Sequence, residues 1–174
     1  MQKRRDQPAK ALFSRLWSLQ PIAIYRKRCT FEGMHIRQAT FFDAAAVQEL
    51  LAQLGYPGLD EARVTQKIGD YTNPSYRLLV SETDSRVTGF IALHVFDIFH
   101  SVGKIGRITA FCVDEAVRGQ GVGTQLMDAA ETWFVSQGCT KLEVTSNERR
   151  TATHAFYKNK GWIEDSRRFV KYTV

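Results

Sequence analysis

From residue 34 onward, apolar and polar residues recur with two distinct periods. His35 to Gln38 alternates, which predicts a short strand. Thr40 followed by Asp43 makes a capping-box pattern. Val47, Leu50, Leu51 and Leu54 then recur at helical spacing until Gly55 and Pro57 stop the helix. A second helix is predicted from Asp60 to about Ile68. The period then returns to two: Tyr76 to Ser81 and Val87 to Phe96 flank the turn sequence "TDSR" and read as an antiparallel hairpin. "VFDIFHSVG" reads as a loop carrying Phe96 and Phe99, and Lys104 to Val113 as a third central strand ending at Asp114. Val122, Leu126, Ala130 and Trp133 line one face of a helix that Gly138 closes. A strand at Lys141 to Thr145 and a helix at Arg150 to Lys160 follow, and Trp162–Asp165 and Phe169–Thr173 are predicted as two short final strands.

The predicted order is βααβββαβαββ, without an internal repeat. A strand–helix–strand unit in the middle requires two parallel strands joined by a crossover helix, here Lys104–Val113 and Lys141–Thr145. The hairpin makes the rest antiparallel, so the fold class is mixed α/β (α+β). The 174 residues are enough for one sizeable core.

Composition changes the picture at one place, near Met34. The net charge of +6 sits entirely in residues 1–33, where eight basic side chains face only Asp6 and Glu32. Residues 34–174 are balanced, so no nucleic-acid partner is expected for the main domain. Residues 1–33 are therefore read as a basic N-terminal extension, and residues 34–174 as the domain. The extension is taken as flexible, since a start at Met34 would leave the domain complete. Two other readings stay open: an interfacial helix with Leu12, Leu16 and Leu19 on one stripe beside Trp17, or an arginine-rich transit peptide. No apolar run approaches the roughly 20 residues of a membrane span. Three widely separated cysteines, Cys29, Cys112 and Cys139, imply neither a disulfide framework nor a metal site, and a cytoplasmic setting is expected.

Candidate chemistry concentrates in "VRGQGVGTQL", Val117 to Leu126. Gly119, Gly121 and Gly123 stand where a helix begins, and the first amides of a helix have no partner within it. Without side chains at those positions an anionic group can settle on the donors, and Arg118 adds a formal charge, so a pyrophosphate is the natural guest. A tight turn is the alternative for the stretch alone. The Gly-Lys-Ser/Thr of a P-loop is missing. A dinucleotide fingerprint fails as well, because the spacing is G-x-G-x-G and it follows four strands.

"FCVDEAVRGQGVGTQL" resembles the R/Q-x-x-G-x-G/A motif of the GNAT superfamily of N-acetyltransferases, with Arg118, Gly121 and Gly123 at the matching positions. "HAFYKNKGW" is similar to that family's second signature, and the resemblance spans roughly Met34 to Val174. It implies a central mixed, mostly antiparallel sheet with splayed parallel strands four and five and helices on both faces. It further implies acetyl-coenzyme A as acetyl donor, no metal, and direct attack by a primary amine of a small molecule or a protein. The pantetheine arm would bond along Phe111, Cys112 and Val113, with the Phe111 amide polarising the thioester carbonyl. Gly119, Gln120, Gly121, Val122, Gly123 and Thr124 would hold the phosphates with Arg118. Tyr157 matches the family's general acid; a free tyrosine with a pKa of about 10 holds a proton at neutral pH for the departing thiolate. Phe156 reads as a core aromatic.

Two departures stand out. Relatives often carry a glutamate as general base four residues before the polarising amide, and this chain has Arg107 there. Where relatives have an asparagine seven residues before the tyrosine, this chain has Arg150, with Asn147 one turn earlier; either is a candidate cofactor contact. On the acceptor side the candidates are His94, Asp97 and His100, with a solvated loop as the alternative. His154 reads as a surface histidine. Arg167, Arg168 and Lys171 read as a charged edge or as a filter for an acidic acceptor. The missing glutamate keeps a non-catalytic acyl-coenzyme A sensor open beside the enzyme, and the basic tail could tether the chain to nucleic acid or membrane. A monomer or homodimer is expected.

Overall fold

The computed structural model describes residues 33–100, 102–165 and 168–173. Five strands, β1 (Met34–Gln38), β2 (Tyr76–Thr83), β3 (Arg86–Asp97), β4 (Lys104–Val113) and β5 (Cys139–Val144), form one sheet in sequence order. β1 to β4 pair antiparallel with one another, and β5 runs parallel to β4. Helices α1 (Ala44–Leu54) and α2 (Glu61–Asp70) cover one face. Helices α3 (Val122–Ser136) and α4 (Thr151–Asn159) contribute to the core on the other.

Strand alternation sorts side chains between the two cores. Phe90 and Ala92 of β3 meet Val47, Leu50, Val64 and Ile68, whereas Ile91, Leu93 and Val95 meet Leu126, Met127, Ala130 and Phe134. The chain enters α1 through a 3₁₀ turn, Phe41–Asp43, where the Asp43 carboxylate accepts the Thr40 amide at 2.7 Å and hydroxyl at 3.1 Å. Arg37 grips the same carboxylate with two bonds of 2.8 Å. Burial pushes the Asp43 pKa up, but the Arg37 and Thr40 bonds outweigh it and hold it below the ordinary value. This cluster ties β1 to α1.

Two predicted strands do not form. Residues 162–165 and 168–173 carry no regular structure, and Phe169, Val170 and Tyr172 are exposed. Alternation favours a strand only where a neighbouring edge takes up its backbone hydrogen bonds, and no strand pairing involves these residues. Asp165 is instead held by its side chain, 3.2 Å from Lys141 Nζ of β5. The extension read at residues 1–33 lies, up to residue 32, outside the described residues.

Two irregularities in β4 position the site. Ala92 pairs with Ala110 and Leu93 with Ile108, so Thr109 is an extra residue without a partner, a β-bulge. Pairing with β5 stops at Ile108–Val144, while β4 continues to Val113. β4 therefore runs five residues beyond its last pairing with β5.

Candidate active site

On the face with α3 and α4, the unpaired end of β4 packs beside the start of α3. Gly119 and Gly121 have φ of 80° and 88°, left-handed values that side chains resist, and a Cβ on either would meet nothing within 4 Å. Gly123 differs: its Cβ position faces Phe111, Val113 and Phe156 at 3.4–3.7 Å, ordinary contact. The first helical bond is Gln125 N to Gly121 O at 3.1 Å, which leaves the amides of Val122, Gly123 and Thr124 ahead of it. The Gln120 amide is already engaged with Val117 O at 3.3 Å. Val122 is buried in the core, and Thr124 is exposed.

Two cations lie near this helix start. Arg118 Nε donates to Val113 O at 3.1 Å, folding back over the end of β4. Arg150, the residue capping α4, donates to Leu54 O at the end of α1 at 2.6 Å. Burial pushes the Cys112 thiol up, and Arg118 and Arg150 both pull it back, so both guanidiniums act on one buried sulfur. Asn147 starts the turn into α4: its side chain accepts the Arg149 amide at 3.0 Å and its carbonyl the Arg150 amide at 2.9 Å. The loop after β4 is anchored by Asp114, 5% exposed, which accepts from Arg86 at 2.6 Å and the Ala116 amide at 3.1 Å. Gln53 of α1 braces it from the side.

Tyr157 lies in the same core cluster as Phe111, linked through Phe156: the Phe111 and Phe156 ring centres are 5.8 Å apart, and those of Phe156 and Tyr157 are 5.6 Å apart. Its side chain is 8% exposed, yet its hydroxyl makes no hydrogen bond to a described residue and keeps contact with solvent. Burial pushes its pKa up to about 12, against a smaller downward pull from Arg150. Ser146 Oγ, just after β5, is buried without a hydrogen-bond partner.

On the opposite face a row of rings crosses the sheet. Tyr71, Tyr76, His94 and Phe96 follow one another with centroid spacings of 5.1, 4.2 and 5.3 Å, and Tyr76 and His94 stack within 6° of parallel. Arg107 closes the row, 5.0 Å over Phe96, and also pairs with Glu143 of β5. Thr109 at the bulge bonds to Tyr71 Oη at 2.9 Å.

A sequence profile described as the acetyltransferase (GNAT) family matches residues 44–162, well over half of the chain. The chain belongs to the GNAT acetyltransferase family. This GNAT chain is 28% identical over 151 residues to the aminoalkylphosphonate N-acetyltransferase of Salmonella typhimurium, covering 86% of this chain and 98% of that one. It is also 28% identical over 137 residues to an aminoglycoside N(6')-acetyltransferase of Stenotrophomonas maltophilia, covering 76% and 88%. Among solved structures, an aminoglycoside N-acetyltransferase in complex with CoA shares its fold, with a TM-score of 0.70 at 19% identity over 81% of this chain and 94% of that one. The protein is thus an acetyl-CoA-dependent N-acetyltransferase by family.

The GNAT fold brings together Phe111, Val113, Val122, Gly123 and Tyr157 on one face, while Arg118 bonds to the end of β4 and Arg150 to the end of α1. His94 stands on the other face, whereas Asp97 ends β3 opposite Lys104, and His100 is exposed in the loop beyond. Arg167 lies outside the described residues; Arg168 and Lys171 are exposed. Sequence reasoning missed Tyr71, Glu143, Ser146 and Asp114. The first two become visible only through contacts across the fold, and an Asp directly after a strand was the one available signal for Asp114. Among the described residues no helix is long and apolar enough to cross a membrane.

Proposed function

We propose that the chain moves an acetyl group from acetyl-coenzyme A to a primary amine of a small molecule, by direct attack and without a covalent enzyme intermediate. The observation that carries this reading is the run of β4 past its last pairing with β5, beside a helix start whose first amides have no partner within the helix and near two arginines. The residues fit the donor in three respects. Open space faces Gly119 and Gly121, Ser146 Oγ is an orphaned buried polar atom, and the opening is cationic, as phosphates require. Acetyl-coenzyme A supplies the acetyl group as a thioester.

Residue roles follow from this. The amides of Val122, Gly123 and Thr124 hold phosphate oxygens at the positive end of α3, while Arg118, Arg150 and Asn147 neutralise or position the charge. The Phe111, Cys112 and Val113 backbone, which has no strand partner on the β5 side, receives the pantetheine amides. The Phe111 amide stabilises charge gathering on the carbonyl oxygen. Tyr157 hands its proton to the departing sulfur. A phenol of pKa about 12 holds a proton more tightly than a thiol near 8.5, so this transfer runs downhill only when the amide nitrogen refills the tyrosine in the same step. The named relatives' acceptors, an aminoalkylphosphonate and an aminoglycoside, define the first amines to test. Free Cys112 and Cys139 fit a reducing, cytoplasmic setting.

The test has two parts. Acetyl-coenzyme A is expected to raise the melting temperature, and Gly121→Asp, which puts a carboxylate among the phosphate donors, to abolish the shift. Thiol release over an amine panel then reports turnover. No shift in the intact protein refutes the reading. A shift without thiol release from any amine favours a non-catalytic acyl-coenzyme A sensor, the alternative that Arg107 on β4 keeps in play.

A further inference from the structure

An alkylammonium cannot attack a carbonyl until it loses a proton, so an N-acetyltransferase acting on such an amine needs a group that takes it. On the ring-bearing face of the sheet beside the Thr109 bulge, few of the described groups could take it. Thr109 has one hydroxyl proton, which it donates to Ala92 O at 3.1 Å, so in its contact with Tyr71 the phenol is the donor. Burial also pushes the Tyr71 pKa up, which keeps that proton in place. The Arg107 guanidinium has donors only and no acceptor for a proton. Glu143 is occupied by the Arg107 guanidinium, with Nε at 2.5 Å and a second contact through Nη2. Asp97 lies at the far end of β3, opposite Lys104.

His94 remains. It stands directly across from Arg107 in the β3–β4 register and stacks on Tyr76, and neither ring nitrogen bonds to a described residue. Its neighbour one step toward the bulge, Leu93, pairs with Ile108 beside the unpaired Thr109. Position 94 is three residues along β3 from Ile91, the partner of Phe111. At a rise of about 3.3 Å per residue that is about 10 Å measured along the strand.

We propose that His94 is the general base of this enzyme, its imidazole taking the proton of the acceptor ammonium directly or through one water. This rests on the N-acetyltransferase reading above. Burial and then the Arg107 charge lower the His94 pKa, so the ring is neutral at pH 7 and ready to accept. The groups facing it are Tyr76 from β2, Arg107 from β4 and Phe96 on its own strand, with Tyr71 beyond Tyr76 and Glu143 beyond Arg107. The step balances. The proton passes from nitrogen to imidazole, and the freed lone pair forms the C–N bond. The C–S bond breaks, its electron pair leaves on sulfur, and Tyr157 protonates that sulfur. The surplus proton on the amide nitrogen returns to the tyrosine, and the imidazolium releases its own to solvent, one proton per acetyl transferred.

The test measures kcat/KM by thiol release from pH 5 to 9, with an aminoalkylphosphonate and an aminoglycoside as probes. The wild type is expected to lose activity on the acid side with an apparent pKa below about 6.5. His94→Gln is expected to lower kcat/KM at pH 7 by about 10²–10⁴-fold and to erase that acid limb, with its acetyl-coenzyme A melting shift intact. Arg107→Gln is expected to move the limb up, toward the ordinary value of about 6.5, because it removes the cation that opposes protonation while burial still lowers the ring. A His94→Gln protein that binds acetyl-coenzyme A and keeps both rate and acid limb overturns the proposal. Should His94→Gln not fold, an Arg107→Gln limb that fails to rise overturns it. A wild type with neither melting shift nor thiol release instead refutes the acetyltransferase reading itself.

Discussion

Replacing Tyr157 by phenylalanine separates chemistry from packing unusually well. The hydroxyl it removes makes no hydrogen bond to a described residue, while the ring packs against Phe156 and Trp162 with centroids 5.6 and 5.7 Å away. No stabilising bond is lost, so at neutral pH the variant is expected to match the wild type within about 0.5 kcal/mol, a Tm change below about 2 °C. Turnover is expected to fall by about 10²–10⁴-fold, a barrier increase of about 3–5 kcal/mol, with acetyl-coenzyme A binding unchanged. Alkaline unfolding supplies a second readout. The folded-state pKa of about 12 lies above the unfolded value of about 10, so the native state holds the proton more tightly. That stabilisation is fully present below about pH 10 and is lost as pH climbs toward 12. The shift of about two units corresponds to about 2–3 kcal/mol that the wild type loses over this range and Tyr157→Phe does not. Urea unfolding at pH 7 and from pH 9.5 upward measures both. Wild-type turnover in Tyr157→Phe would sink the general-acid role, and parallel alkaline curves would sink the burial argument behind its pKa.

Two further predictions concern the frame around the site. Gly106 of β4 lies under α3, and a Cβ there would fall within the ring of Phe134, which is fully buried and has nowhere to move; Gly106→Ala is expected to cost about 1–3 kcal/mol and several degrees of Tm, and an unchanged Tm refutes the packing. Asp43 is buried and paired with Arg37, so Asp43→Ala removes the bonds to Arg37 and Thr40, leaves that partly exposed guanidinium to Glu82 and the Gln38 carbonyl, and is expected to cost about 1–3 kcal/mol. Because the Asp43 pKa is depressed in the fold, its contribution is present above about pH 4 and fades as pH falls through the lower native value; chemical unfolding between pH 3 and 7 is expected to show this decline in the wild type and a flatter curve in the variant.

Local pattern and covalent order determined most of the fold from the sequence alone. Helix and strand periods, the Thr40–Asp43 cap and the glycines at the start of α3 are properties of short stretches, and the parallel pair followed from a crossover helix that admits one hand. The same logic failed at Trp162–Asp165 and Phe169–Thr173, because a strand is defined by its partner and alternation contains no information about one. Within the candidate site, the amides that open α3 ahead of its first helical bond were legible for the same reason: they belong to one contiguous turn. The tertiary structure alone decided the rest. Thr109 becomes a bulge only when β3 and β4 pair, and Arg107 meets Glu143 only when β5 joins the sheet. The Tyr157 pKa rises only when α4 buries the ring, and Arg150 reaches Leu54 across 96 positions of chain. Burial and charge proximity are properties of neighbours in space. A chain's order fixes which groups it carries, and packing sets the dielectric and the charges that determine what those groups can do.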